Sequence, residues 1–132
     1  MEERPMGNKE ILIAEDDIVT QNMLRTTLSN AGYRVFAASN GKEAVDLARK
    51  KLPGLIILDI MMPELDGGEV AEILRGDPKT KDIPIIFLSS LITESEEKVR
   101  TKKDVTSFIS KPYIREKLLN EVKKHFNMEI RH

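Results

Sequence analysis

Residues Leu55 to Leu58 form an apolar run with no polar alternation, closed by Asp59 and followed by a loop that contains Pro63 and Gly67. A strand open to water on one face would alternate apolar and polar side chains. This run therefore predicts a strand covered on both faces, as in a parallel sheet between two layers of helices. Asp59 then stands at the carboxyl edge of the sheet, where open α/β sheets bind ligands. Taken alone, an aspartate closing an apolar run is ordinary turn chemistry. The rest of the chain decides between the two readings.

Glu10–Ala14 predicts a first strand of the same kind, ending in Glu15, Asp16 and Asp17. A helix with Ile18, Val19, Met23, Leu24 and Leu28 at helical spacing follows, stopped by Asn30, Ala31 and Gly32. Arg34–Ala38 predicts a second strand. Asn40 and Glu43 have capping-box spacing ahead of a helix that Pro53 and Gly54 end. Beyond the central loop, Glu69–Arg75 predicts a short third helix, and Pro84–Leu88 an apolar strand ending in Ser89 and Ser90. Thr93–Lys103 is almost wholly charged, which predicts a weakly held fourth helix and the movable part of the fold. Val105–Ile109 predicts the last strand, ending in Ser110, Lys111 and Pro112, and Ile114, Leu118, Val122 and Phe126 recur every fourth residue on a closing helix. Five strands alternating with five helices through short connections imply right-handed crossovers. The expected fold is an α/β doubly wound parallel sheet in the order 2-1-3-4-5.

At 132 residues the chain suits one domain. Residues 1–9 read as a loose polar leader, 10–126 as the domain and 127–132 as a tail. Lysine plus arginine (21) nearly balances aspartate plus glutamate (22), so overall charge favours neither nucleic acid nor an anionic membrane as a direct partner. The absence of cysteine excludes disulfides and thiolate metal sites. No apolar run is long enough to insert into a membrane and no signal peptide precedes the first strand, so a soluble, cytoplasmic protein is expected.

In this topology the strand ends converge: Glu15 and Asp16, Asp59, Ser89 and Lys111 share one edge. Three carboxylates on neighbouring strands repel unless a cation joins them or one is protonated. An all-oxygen donor set suits Mg²⁺, or Mn²⁺, rather than zinc. Beside such an ion Asp59 is placed to attack a phosphoryl group, with Lys111 neutralising charge and Ser89 hydrogen-bonding an oxygen. Singly, each residue has a plainer role as turn lysine, cap or helix-end charge. Capping and solvation do not call for all of them at the ends of four strands.

The motifs ILIAEDD, LIILDIMMPELDG, PIIFLSS and FISKP resemble the receiver domain of two-component response regulators, the flavodoxin-like fold of the single-domain chemotaxis regulator, over Glu10–Phe126. The resemblance implies a phosphoprotein of signal transduction whose Asp59 accepts a phosphoryl group from a sensor histidine kinase or histidine phosphotransfer protein. It also implies Mg²⁺ bound by Asp16, Asp59 and the Met61 carbonyl, with Glu15 acting mostly through water. Lys111 would bridge to the phosphate ahead of a cis Pro112, Ser89 would be the switch hydroxyl, and Phe108 the switch aromatic. The face made by the fourth helix, fifth strand and fifth helix would then change for a downstream protein effector, or for a phosphorylation-dependent dimer. Kinase specificity would lie on the exposed face of the first helix, with Gln21, Asn22 and Arg25 as candidates. Such a domain is not an enzyme beyond weak self-phosphorylation and self-dephosphorylation, and neither His125 nor His132 is placed to be the donor.

The sequence departs from the family pattern at Glu15 (usually aspartate), Ser89 (more often threonine) and the pair Lys103 and Asp104 (usually Ala-Gly). Met61 and Leu91, both apolar, flank the expected path of an attacking water and predict a long-lived phosphorylated state. The alternative is an aspartyl-phosphate phosphatase or phosphotransferase of the haloacid dehalogenase-like type. Those enzymes usually carry a second aspartate where this chain has Met61. A flavin-binding relative is disfavoured because no glycine-rich phosphate loop follows the first strand.

Overall fold

The computed structural model describes residues 9–89 and 106–130. Within them the order is β1 (Glu10–Ala14), α1 (Ile18–Asn30), β2 (Arg34–Ala38), α2 (Gly41–Lys51), β3 (Leu55–Asp59), α3 (Gly67–Arg75), β4 (Ile85–Ser89), β5 (Thr106–Ser110) and α4 (Arg115–Ile130). All strands are parallel in one sheet of order β2-β1-β3-β4-β5, the predicted doubly wound arrangement. Four helices lie among the described residues. The leader at residues 1–8, the charged helix expected over Thr93–Lys103, the positions Ser90, Leu91 and Asp104, and the tail residues 131–132 fall outside them.

The missing alternation has a direct cause. Successive strand residues point to opposite faces, and here both faces are core. Leu12, Ala14, Ile56, Leu58, Ile85 and Phe87 pack with Ala44, Val45 and Ala48 of α2 and Val70 and Leu74 of α3. Ile11, Ile13, Leu55, Ile57, Ile86 and Leu88 pack with Leu24 and Leu28 of α1 and Leu118, Val122 and Phe126 of α4. A polar side chain at either kind of position would be buried without water.

The boundaries shift in three places. β4 begins and ends one residue later than the apolar run suggested, taking in Ser89, and β5 ends one residue later, taking in Ser110, while Val105 lies outside the described residues. α3 starts at Gly67 because Asp66 caps it, accepting from the Glu69 N–H while the Glu69 carboxylate accepts from the Asp66 N–H. At α2 the cap is Asn40 as expected, but Glu43 accepts from the Ser39 N–H at 2.8 Å instead of from the cap residue. On α1, only Leu24 and Leu28 of the expected apolar positions are buried; Ile18, Val19 and Met23 are each more than half exposed.

Candidate functional site

The parallel ladder carries the site residues to fixed positions. One step beyond the β1 end, the Glu15 N–H donates to the Ala38 carbonyl at 3.0 Å. One step beyond the β5 end, the Lys111 N–H donates to the Ser89 carbonyl at 3.1 Å. Asp59 closes β3 between β1 and β4, opposite Leu88. The structure therefore brings together Glu15, Asp16, Asp59 and Lys111, with Ser89 on the adjoining strand end.

One carboxylate oxygen from each of Glu15, Asp16 and Asp59 lies within 4.8 Å of the other two. Glu15 and Asp59 are buried and Asp16 is exposed, so the cluster is rooted in the sheet and open on one side. The Lys111 Nζ donates to Glu15 Oε1 at 3.1 Å and to Asp59 Oδ2 at 3.2 Å. The second Glu15 oxygen accepts from the Asp17 N–H at 3.0 Å, and Asp59 Oδ1 accepts from the Met61 N–H at 3.2 Å. Each buried carboxylate thus has partners on both oxygens.

Burial pushes the Glu15 carboxyl above the ordinary range, and neither the Asp17 N–H nor the Lys111 ammonium fully offsets it. Burial pulls Lys111 down, but hydrogen bonding to Glu15 and the charge of Asp59 outweigh it, so the ammonium is held above its ordinary value. The site stabilises positive charge. Its donors are all oxygen, close together and partly open to solvent, which is the chemistry of a small hard divalent cation. On that ground these residues fit Mg²⁺.

Met61 is 56% exposed beside Asp59, in a loop whose Glu64 has φ 68° and whose Leu65 N–H donates to the Pro63 carbonyl at 2.8 Å. Gly67 closes that loop: a Cβ there would lie 2.6 Å from the Asp59 carbonyl oxygen and 2.9 Å from the Ile60 Cα. The Lys111–Pro112 bond is cis. Phe108 stacks on Phe87 of the adjoining strand, ring centroids 5.1 Å apart.

Gln21 is not on the exposed face of α1, where the sequence reading put it. It is buried, because its position three before Leu24 and seven before Leu28 places it on the core stripe. That spacing was a usable signal. Asn22 and Arg25 are exposed, as expected. Thr27 on the same helix hydrogen-bonds the Tyr113 hydroxyl at 3.1 Å, tying α1 to the segment after Pro112.

Residues 11–123 match the family described as response regulator receiver domain. The polar-differentiation response regulator DivK of Brucella anthropi is 31% identical over 117 residues, 89% of this chain and 95% of that protein. A probable transcriptional regulator, ycf27 of Porphyridium aerugineum, is 36% identical over 108 residues, 82% of this chain but 44% of that protein, so the chain spans under half of its length. The solved receiver domain of the sensor histidine kinase PA1611 from Pseudomonas aeruginosa, with a magnesium ion coordinated in its active site cleft, superposes with a TM-score of 0.80 at 26% identity, covering 92% of this chain and 98% of that one. A matching family over most of the chain, the 2-1-3-4-5 sheet and the acidic cluster at its carboxyl edge agree: this chain belongs to the receiver-domain family of two-component response regulators.

Proposed function

We propose that residues 10–126 form a phosphoacceptor module in which Asp59 takes a phosphoryl group, in a Mg²⁺-dependent reaction, from a phosphohistidine of a sensor histidine kinase or a histidine phosphotransfer protein. The observation that carries this reading is the Lys111 ammonium held between Glu15 and Asp59 beside a third carboxylate, Asp16. Glu15, Asp16, Asp59 and the Met61 carbonyl would hold the ion, and Mn²⁺ would serve in its place. A bound divalent ion neutralises the equatorial oxygens of the transferring phosphoryl group.

The rest of the chemistry belongs to the chain. An Asp59 oxygen forms the new P–O bond as the P–N bond to the donor ring breaks. The electron pair stays on the donor nitrogen, and the ring leaves as neutral imidazole when its other nitrogen carries a proton. Lys111 then exchanges a carboxylate partner for a phosphoryl oxygen, and the Ser89 hydroxyl donates to another. The Lys111 exchange replaces one charge-assisted hydrogen bond with a comparable one, so a small differential energy can shift the equilibrium between two states.

Ser89 and Phe108 are the proposed switch residues. Phe108 lies one strand from the acceptor strand's neighbour and stacks on Phe87, so a displaced β4 end would reach the ring directly. The output surface would involve β5, the closing helix and the segment between β4 and β5, read by a protein effector or by a second copy. The exposed Ile18, Val19 and Met23 at the start of α1 offer apolar area for the phosphodonor beside the site. No described helix is long and apolar enough to cross a membrane.

The test is intact mass after incubation with acetyl phosphate and Mg²⁺. One added phosphate is expected on the parent, none on Asp59→Ala and none with the metal chelated. Equal uptake by Asp59→Ala would end the proposal.

A further inference from the structure

Gln21 makes a set of contacts that packing alone does not require. Its Nε2 donates to the Glu15 carbonyl at 2.9 Å, to the Ala38 carbonyl at 3.3 Å and to the Ser39 hydroxyl at 3.3 Å. Two of these acceptors are carbonyls, which only accept, so the NH₂ end of the amide must face them. Two hydrogens serve three acceptors, and the shortest bond goes to Glu15. The Glu15 N–H is still part of the ladder, bonded to Ala38, whereas its carbonyl lies beyond the last β1 pair in a fully buried residue. A buried carbonyl without a donor is costly, and the chain would turn to find one. Turning the Glu15 peptide would move the Glu15 side chain and the following Asp16 together.

We infer that Gln21 is the positioning residue of the acidic pair: by capping the Glu15 carbonyl it fixes the 15–16 peptide and so sets the affinity of the carboxylate cluster for a divalent cation. The same side chain reaches Ser39, whose N–H is held by Glu43 in the first turn of α2, so the ends of β1 and β2 and the starts of α1 and α2 meet at one amide. The inference rests on the proposed cation site, and its test separates the two.

Gln21→Met keeps the volume and removes the donor; Gln21→Ala removes both and leaves room for a water to satisfy the carbonyl. Binding of Mn²⁺ alone to the unphosphorylated protein is measured by electron paramagnetic resonance, alongside thermal unfolding without metal. Loss of an orienting partner behind metal ligands weakens binding by about tenfold or more. The expected result is a Kd for Mn²⁺ raised by about that factor in Gln21→Met, with a smaller rise in Gln21→Ala. The Mg²⁺ concentration that half-saturates acetyl phosphate uptake should rise in parallel, and the maximal rate should stay within about twofold of the parent. A folded Gln21→Met protein with unchanged Mn²⁺ affinity overturns the inference, however far its melting temperature falls. If Gln21→Met does not fold, unchanged affinity in Gln21→Ala does the same. A parent that binds Mn²⁺ but takes up no phosphate refutes the phosphoacceptor reading and leaves the Gln21 measurement standing.

Discussion

At the scale of single residues, the loop after Asp59 holds a conformation that its composition does not favour. Glu64 sits at φ 68°, in the left-handed region that disfavours a residue with a Cβ and that asparagine tolerates better. Glu64→Asn should stabilise the protein by about 0.5–1 kcal/mol in urea unfolding; a loss of stability would show that the Glu64 side chain contributes something its backbone does not reveal. Met61, exposed and two residues beyond Asp59, should slow the approach of water to the acyl phosphate. Replacing it with asparagine should speed phosphate loss several-fold, followed by mass after removal of the donor, and an unchanged rate would remove Met61 from the account. The carboxylates, Ser89 and Lys111 were legible in the sequence because each stands at the end of a predicted strand, and position along a strand fixes position at the edge. Glu64 was not, because its φ is imposed by the return of the loop to Gly67. Gln21 is polar, yet its spacing from Leu24 and Leu28 puts it on the core stripe of α1.

At the scale of elements, helix ends decide how tightly the site is built. The α3 cap at Asp66 brings Gly67 against the Asp59 carbonyl, a contact that leaves no room for a methyl group. Gly67→Ala should cost about 1–3 kcal/mol and should reduce phosphate uptake even where the protein stays folded, since the atoms that must yield are the backbone of Asp59 and Ile60. Full uptake by a folded Gly67→Ala protein would mean the loop gives way without disturbing the acceptor. The capping box was expected at Asn40 and Glu43 and was found at Asp66 and Glu69; the spacing is the same, and only the path of the chain before the helix tells them apart.

On α4, the His125 ring and the Glu121 carboxylate meet the Ser107 hydroxyl of β5, with distances of 3.1 Å from Ser107 Oγ to His125 Nε2 and 2.7 Å to Glu121 Oε2. Burial holds His125 below its ordinary value, against the opposing pull of Glu121. A base whose folded value is lowered takes its proton first in the unfolded chain. Stability is therefore fully present above the unfolded value of about 6.5 and declines as pH falls below it, levelling off once the folded state is also protonated. Urea unfolding from pH 7.5 to 5 should show this decline, reduced in His125→Gln. An unreduced slope would assign it to other groups.

At the scale of the whole molecule, the doubly wound sheet explains why so little sequence specifies a site. Two cores, one on each face, hold the strands in register, and the ladder extends through Glu15 and Lys111, so residues almost a hundred positions apart meet with Nζ 3.1 Å from Oε1. The strand order could be read from the alternation of five strands with helices, and the burial of both sheet faces from the unalternating apolar runs. The exposure of Ile18, Val19 and Met23 could not, because a helical period alone does not tell a core face from a surface left for a partner. This convergence should make Asp59, among several neighbouring carboxylates, the one that is phosphorylated. Reduction of the acyl phosphate with borohydride converts the acceptor aspartate to homoserine, which peptide mass spectrometry locates. After phosphorylation by acetyl phosphate, homoserine is predicted at position 59 alone, and only when Mg²⁺ was present; homoserine at position 16, 17 or 66, or at position 59 without the metal, would contradict the account.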